Sequence, residues 1–476
     1  MASTSQRLHK LKVIAGKALE ANDYEKAWLP VTEILSMDPD DPQALYMTGC
    51  WFRMKGYPGV ALQFFRRCVA VEPSQLNPWL FYGASLHDIH RYDEAIELFK
   101  MCIGMAPNKP AAYANLAASH VQKGEFPQAY GYAKEALKRD KDHENAKICL
   151  GMASLGLRRW KEGFEHYRYL FGNQVVIRYY GQEQPEWGGQ SGQTVVVQGD
   201  QGLGDEIMYA SILEDMAKTC RKVVYDCHPK LVNVLSRSFP GIDFHGSKKD
   251  KKAGWVDDYR FDARVHASAL GRFFRQKDSD FPRQPYLQTD PAKVAKWQKV
   301  LARLPRPWVG LTWQGGSLGT QRDIRSIEPE DWLPVIEKGG SFIDLSYHDS
   351  TADLKGLEDN IHRFETDAED YDDTLALIEC LDAVCTVTTT VVHACGALGK
   401  KAYVLVSNMP QWRYGATKDD MPWYGRQVRL FRQGKAALFA PAIQQIAQAY
   451  ARDLSRKPSR RDHVVLDAGY GCVAGI

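Results

Sequence analysis

The sequence predicts a protein of mixed α and α/β architecture, in which a helical repeat array precedes two lobes of alternating strands and helices. Three observations support this fold class: a period of 34 residues in the first third, alternation of β-branched runs with helical stretches after residue 194, and a globular composition. At roughly 150 residues per domain, the 476 residues correspond to about three domain-sized units.

Composition and charge exclude several classes of protein. The chain carries 61 Lys and Arg against 58 Asp and Glu, a net charge of +3 that disfavours a nucleic-acid partner. It has no apolar run of 18 residues and no apolar segment near its N-terminus, so we expect no membrane span and a cytoplasmic location. The ten cysteines form no CxxC pair, which indicates reduced core residues rather than disulfides or a zinc ribbon.

Four residue series keep the 34-residue period in the N-terminal third. Small residues fit where two helices cross closely, an aromatic residue wedges the pair, and proline ends the second helix. The series are alanine, proline, small and aromatic: Ala27, Ala61, Ala95 and Ala129; Pro39, Pro73 and Pro107; Gly49, Gly83, Ala117 and Gly151; Tyr24, Tyr92, Phe126 and Trp160.

These positions resemble the tetratricopeptide repeat (TPR), with about five units over residues 8–171. Such an array has a concave surface that binds a polypeptide, so we expect a protein acceptor or partner there. The alternative is a scaffold that packs on the neighbouring domain or forms a homo-oligomer.

The remaining chain divides at changes in pattern. Residues 172–193 are rich in glycine and form a predicted linker, and residues 194–300 and 301–455 form two predicted lobes, each with a parallel sheet. Residues 456–476 form a basic tail. Parallel sheets of this kind bind nucleotides at the carboxyl ends of their strands, against helix N-termini.

Three motifs carry a more specific resemblance. They are GDQGLGDEI at 199–207, GLTWQGG followed by RDIRSI within 310–327, and TTTVVHACGALGKK at 388–401 followed by Trp412 and Arg413. Together they resemble repeat-bearing glycosyltransferases related to the heptosyltransferase family. The resemblance implies the GT-B fold of two Rossmann-like lobes, with the nucleotide-sugar donor in the C-terminal lobe and the acceptor on the other. The domain order is also similar to the O-GlcNAc transferase architecture.

The resemblance implies two catalytic residues. Asp205 matches the family aspartate that accepts the proton of the acceptor hydroxyl, and His393 donates to phosphate or stabilises the leaving group. Each has a structural alternative. An aspartate in a first helical turn stabilises the helix whatever the ligand, and a lone helical histidine is often a packed core residue.

The remaining candidates are donor-binding residues. Glycines allow a ligand to approach the backbone, hydroxyls and free amides at a helix start hold a diphosphate, and guanidinium groups suit phosphate oxygens. The alternatives are a tight turn, a simple helix cap, surface arginines and an aromatic ring packed under a loop. The candidates are Gly202, Gly204, Gln314, Gly315, Arg322, Arg325, Thr388, Thr389, Thr390, Trp412 and Arg413.

Thr388 departs from the pattern, because related sequences have Asp at this position. Two interpretations follow from that departure: a different donor, or loss of activity.

We expect no metal and no cofactor other than the nucleotide-diphosphate sugar as co-substrate. A DxD triplet, Asp278-Ser279-Asp280, lies in a polar stretch and is interpreted as a solvated loop. Helix ends and arginines can neutralise a departing diphosphate without Mg²⁺.

The sequence therefore predicts an inverting, metal-independent glycosyltransferase whose repeats recruit a protein acceptor. Two alternatives stay open. One is a glycosyltransferase acting on a glycan, a small molecule or nucleic acid, with basic patches docking an acidic acceptor and repeats used for assembly. The other is a non-catalytic TPR binding scaffold.

Overall fold

A computed structural model describes residues 4–21, 23–170, 184–199, 202–247, 253–316, 321–434 and 438–455. They belong to two compact units. The first comprises Met1–Arg178, Ser268–Asp280 and Met409–Thr417, and the second comprises Tyr179–Ala267, Phe281–Asn408 and Lys418–Ile476.

The first unit contains the predicted helical array. In the described part of the first 170 residues, ten helices follow one another, and each packs on the next. The helices α2, α4 and α6 each end two residues before a proline of the predicted series. The helices are α1 Thr4–Glu20, α2 Tyr24–Met37, α3 Pro42–Met54, α4 Pro58–Val71, α5 Leu76–Asp88, α6 Tyr92–Met105, α7 Pro110–Gln122, α8 Phe126–Arg139, α9 Glu144–Gly156 and α10 Trp160–Tyr167.

Glycines in the small-residue series let paired helices approach closely. A Cβ on Gly49 would lie 2.6 Å from the ring of Phe65, and a Cβ on Gly83 would lie 2.6 Å from the ring of Phe99. Both rings are buried. Phe65 and Phe99 each lie four positions after a periodic alanine, Ala61 and Ala95, and are themselves 34 residues apart. This regularity is not among the four predicted series.

The segment Met409–Thr417 packs on the last repeat of the first unit. Trp412 is buried, with its ring centroid 6.5 Å from that of Phe164 and 5.5 Å from that of Tyr167. A helical solenoid needs its terminal face covered, and this segment provides such a cover for α10.

The segment Ser268–Asp280 also belongs to the first unit. Trp160 Nε1 donates to Asp278 Oδ1 at 2.6 Å, and Arg272 pairs with Glu165 at 3.1 Å. The predicted lobe range 194–300 runs through this segment, whereas its contacts are with α10.

The second unit contains two parallel sheets. The first has the order β3-β2-β1-β4, and the second has the order β10-β9-β8-β5-β6-β7. The strands are β1 Thr194–Gln198, β2 Lys222–Cys227, β3 Asp243–Gly246, β4 Ala263–His266, β5 Trp308–Leu311, β6 Ser341–Asp344, β7 Ile361–His362, β8 Ala383–Val387, β9 Ala402–Val406 and β10 Val428–Arg432.

Helices alternate with these strands, as the sequence predicts. Strands β5, β8 and β9 are buried along their whole length, which explains why they consist of nearly continuous apolar residues. The helices are α11 Leu203–Ala210, α12 Leu213–Thr219, α13 Val232–Ser238, α14 Pro291–Leu301, α15 Arg322–Arg325, α16 Leu333–Ile336, α17 Tyr371–Cys380, α18 Thr390–Leu398 and α19 Ala440–Ser455. No helix in the described ranges is both long and apolar enough to cross a membrane.

Charged groups tie α13, beside the first sheet, to α17, beside the second. Arg237 donates to Asp372 Oδ1 at 2.5 Å, and Asn233 donates to Asp370 Oδ2 at 3.1 Å. Burial acts to raise the pKa of Asp370, but hydrogen bonds, including those from Lys293 and Asn233, outweigh it and hold that pKa below its usual value. Helix α13 is therefore joined to the start of α17 by an ion pair and a side-chain hydrogen bond.

The glycine contacts generate a stability prediction. Gly83→Ala inserts a methyl group into the space of the Phe99 ring, so we expect the free energy of unfolding to fall by about 1–3 kcal/mol. Gly131→Ala is the matched control, since Gly131 lies in α8 with open space around it. There alanine raises stability by about 0.5–1 kcal/mol. Urea unfolding of the full chain checks the pair, and equal midpoints for the two variants contradict the helix-crossing role.

Candidate functional site

Two helix N-termini meet in the second unit. Helix α11 begins after the glycine loop that follows β1. Helix α18 begins at Thr390, the last of the three threonines that follow β8. The two helices pack against each other. A Cβ on Gly204 would lie 2.9 Å from Cδ2 of His393 and 3.3 Å from Cα of Thr390. The first turns of α11 and α18 are therefore in direct contact, and two of the three sequence motifs come together there.

Thr388, Thr389 and Thr390 occupy three different positions at the start of α18. Thr389 is the N-cap of α18, and its hydroxyl accepts a hydrogen bond from the Val391 amide at 2.9 Å. Thr388 is buried, and Thr390 is the first residue of the helix. The helix-cap interpretation thus holds for Thr389, and it leaves α18 beginning at the carboxyl end of β8.

The two candidate arginines lie in different environments. Arg325 is only 8% exposed, and its Nη1 donates to the Thr388 carbonyl oxygen at 3.4 Å. The Arg322 side chain is 36% exposed and pairs with Asp323 at 3.7 Å. Arg325 therefore belongs to the turn that precedes α18, whereas Arg322 contacts an exposed carboxylate on its own helix.

The third motif also reaches this turn. A Cβ on Gly315 would lie 3.0 Å from the Thr388 carbonyl oxygen, and the Gly315 amide donates to Ser326 Oγ at 3.2 Å. Gln314, just before it, is half-buried. The loop after β5 and the loop after β8 are therefore in contact, and a side chain larger than that of glycine would be crowded at the point of closest approach.

Trp313 anchors the start of the loop after β5 through a hydrogen bond to Asp353. It is buried, and its Nε1 donates to Asp353 Oδ2 at 3.0 Å. Burial acts to raise the pKa of Asp353, but hydrogen bonds from His348 and Trp313 outweigh it and hold that pKa below its usual value. The carboxylate thus stays ionised and anchors the loop.

His393 is 3% exposed and is held from two sides. Its Nδ1 lies 3.0 Å from the hydroxyl oxygen of Tyr424, and its Cδ2 faces Gly204. The Tyr424 ring fills the space beside Gly396, where a Cβ would come within 2.2 Å of it. Tyr424 is not among the residues that the sequence predicted for the site. The available signal was a glycine inside a helical pattern, which indicates close packing.

The two acidic residues after Gly204, Asp205 and Glu206, differ in burial and in their contacts. Asp205 is half-buried in the first turn of α11. Glu206 is buried, its Oε2 accepts the His228 amide at 2.8 Å, and a Cβ on Gly199 would lie 2.6 Å from its Oε1. Glu206, which the sequence analysis did not single out, therefore joins the glycine loop to the end of β2.

Trp412 and Arg413 lie in the first unit. Trp412 packs on Phe164 and Tyr167, and Arg413 Nη1 donates to Gln411 Oε1 at 2.7 Å. The contacts described for Trp412 and Arg413 are therefore with residues of the first unit.

The DxD triplet is engaged in local structure. Asp278 accepts from Trp160, and Asp280 Oδ2 accepts the backbone amides of Gln276 and Lys277 at 2.9 and 3.1 Å. The expected solvated loop is therefore a hydrogen-bonded turn on the last repeat.

Comparison with known proteins identifies the helical array. Residues 86–155 match the tetratricopeptide repeat. The predicted N-terminal array of these repeats is thus confirmed, whereas no glycosyltransferase family model matches the chain.

Two curated relatives differ in how much of the chain they match. Protein FlbA of Caulobacter vibrioides is 26% identical over 441 residues, which are 86% of this chain and 73% of FlbA. The TPR repeat-containing protein PA4667 of Pseudomonas aeruginosa is 30% identical over 139 residues, 29% of this chain and 24% of that protein. The solved structure of MamA from Desulfovibrio magneticus is 19% identical with a TM-score of 0.31, covering 35% of this chain and 94% of that one.

The contact between α11 and α18 predicts the effect of a methyl group at residue 204. Gly204→Ala pushes His393 and Thr390 away, so we expect a loss of about 1–3 kcal/mol in unfolding free energy and faster amide hydrogen exchange in both helices. The control is Gly202→Ser. Gly202 is the extended N-cap of α11, where serine is well tolerated. If Gly204→Ala exchanges as slowly as wild type, residue 204 does not limit the approach of the helices.

Proposed function

We propose that the second unit is a glycosyltransferase of the GT-B type that moves a sugar from a nucleotide-diphosphate sugar to an acceptor hydroxyl, with inversion and without a metal. The supporting observation is the contact between the first turns of α11 and α18 at the carboxyl ends of β1 and β8. Arg325 binds the Thr388 carbonyl oxygen just before α18. Helix N-termini carry partial positive charge and free amides, and a guanidinium group adds a full charge. Together they form a setting for a diphosphate.

The proposed roles follow from position. The diphosphate binds at the start of α18, where Thr390 begins the helix, and Arg325 offsets its charge. His393 donates a hydrogen bond to the departing phosphate. The acceptor oxygen forms a bond to the anomeric carbon while the bond from that carbon to the phosphate oxygen breaks. The nucleoside diphosphate leaves with the electron pair, and Asp205 accepts the proton of the acceptor.

Thr388 bears on the choice of donor. A carboxylate at this buried position would place a negative charge beside the diphosphate, whereas a threonine does not. We therefore propose that the chain uses a different donor from its relatives. The alternative is that it has lost activity, and measuring donor binding decides between the two.

A panel of UDP-, GDP-, ADP- and dTDP-sugars tests this function. We expect one class to raise the melting temperature and to be hydrolysed or transferred with release of the nucleoside diphosphate. Asp205→Asn should keep the thermal shift and lose about 10²–10⁴-fold in turnover. The matched control is Glu214→Gln, which changes an exposed carboxyl group on the next helix and should leave turnover unchanged. Absence of a shift with all four classes refutes the proposal.

We also propose that the repeat array binds an extended peptide, which serves as the acceptor or, in a scaffold, as the partner. A groove of about 310 Å³ in the first unit is lined by residues of α5, α7 and α9, among others. Its lining includes the apolar side chains of Ala118, Ile148 and Met152 and the amide side chains of Asn115 and Asn145. Neither asparagine side chain has a hydrogen-bond partner among the described residues. Free amides of this kind can pair with the donors and acceptors of a peptide backbone.

Selection from a random peptide library tests the groove. Peptides selected by the full chain should bind the Asn115→Ala, Asn145→Ala double variant about tenfold or more weakly, because two hydrogen bonds are lost. Asn108→Ala is the control, since Asn108 is exposed in the loop before α7, outside the groove. Unchanged affinity in the double variant contradicts peptide binding at this surface.

A further inference from the structure

Tyr424 contacts the candidate histidine through its hydroxyl group. The Tyr424 side chain is buried, and its hydroxyl oxygen lies 3.0 Å from His393 Nδ1. The two residues are 31 positions apart and are brought together by packing on α18. The ring packs beside Gly396, one turn further along the same helix, so both the ring and the hydroxyl of Tyr424 are directed at one face of α18.

The segment that carries Tyr424 also contacts α11. The neighbouring Trp423 is buried, and its ring centroid lies 5.4 Å from that of Tyr209 in an edge-to-face arrangement. Met421 is fully buried, and its carbonyl accepts the Tyr424 amide at 3.0 Å. The hydroxyl is therefore held by a segment that packs on both helices of the candidate site.

The chemistry of the two groups sets the direction of the hydrogen bond. A phenol O–H is a stronger acid than the N–H of a neutral imidazole, and an imidazole nitrogen is a stronger base than a phenol oxygen. The favourable arrangement is therefore donation from the Tyr424 hydroxyl to His393 Nδ1. A histidine that accepts at Nδ1 carries its proton on Nε2.

The ring orientation gives this tautomer a consequence. Cδ2, the ring carbon bonded to Nε2, is the atom that lies beside Gly204. The edge of the ring that carries Nε2 therefore faces the first turn of α11, while Nδ1 faces Tyr424. A proton on Nε2 is thus presented on the side of the ring where the two helix N-termini meet.

We propose that Tyr424 is a positioning residue that keeps the proton of His393 on Nε2, so that this nitrogen donates to the phosphate that departs during sugar transfer. The second half of this inference rests on the proposed function. The first half, the tautomer, stands by itself and can be measured without a substrate. Tyr424 itself contacts His393 and does not act on the substrate.

Tyr424→Phe tests the assignment because it keeps the ring against Gly396 and removes only the hydroxyl. We expect long-range ¹H–¹⁵N spectra of the full chain to show His393 protonated at Nε2 in wild type and a mixture of tautomers in the variant. The signal of His393 is the one that disappears in His393→Gln, or in His393→Asn if the glutamine variant fails to fold. With the donor found in the panel, kcat should fall about tenfold, with KM for the donor changed less than twofold.

Tyr450→Phe is the matched control. Tyr450 is also buried in the second unit, and its hydroxyl donates to the Gly339 carbonyl at 2.7 Å, away from α18. This control should leave both the His393 spectrum and kcat unchanged.

The outcomes separate the two claims. An unchanged His393 tautomer in Tyr424→Phe overturns the positioning role. A changed tautomer with unchanged kcat overturns its part in transfer. A wild-type chain that turns over no donor refutes the proposed function, and the tautomer measurement still decides whether Tyr424 holds His393.

Discussion

The close approach of α11 to α18 is the constraint on which the candidate site depends, and it requires a residue without a Cβ at position 204. Two adjacent helix N-termini bring two partial positive charges together, which is unfavourable without nearby negative charge. The first turn of α11 carries Asp205 and Glu206, whereas the first turn of α18 carries no acidic residue. The carboxylates on α11 offset part of the repulsion, and the arrangement favours an anion at the start of α18.

The same device recurs in the repeats, where Gly49 and Gly83 admit the rings of Phe65 and Phe99. In the repeats the close contact builds a core, because both rings belong to clusters of buried apolar residues. At Gly204 the contact joins two helices in a region that holds buried charged residues, Glu206 within α11 and Arg325 at the end of α15. Glycine thus serves packing in one unit and the placement of charge in the other, and only the surroundings distinguish the two uses.

Much of this fold could be predicted because its signals are local. The 34-residue period specifies helix pairs and their ends, and the continuous apolar runs at β1, β5, β8 and β9 are typical of buried parallel strands. The membership of Ser268–Asp280 and Met409–Thr417 in the first unit has no such signal, because it depends on contacts such as that of Trp160 with Asp278, 118 positions apart. The motif singled out Trp412, but the packing of its ring on Tyr167 joins distant parts of the chain and likewise has no local signal in the sequence. For the site, the motifs located Gly204, Thr389 and His393, but not Tyr424 or Glu206, whose partners lie in other segments.

His393 shows why such partners matter for function. Its ring is fixed by Tyr424 at Nδ1 and by Gly204 at Cδ2, and the turn before its helix is held by Arg325 through the Thr388 carbonyl. These supports come from three other segments of the second unit, so a change in any one of them alters the direction of the ring. Substitutions at these positions should therefore be strongly coupled, since residues in one network are not independent. The proposed sugar transfer, which needs a donor within hydrogen-bond distance of the departing oxygen, would benefit from this coupling, because it limits the ring to one orientation before a substrate binds.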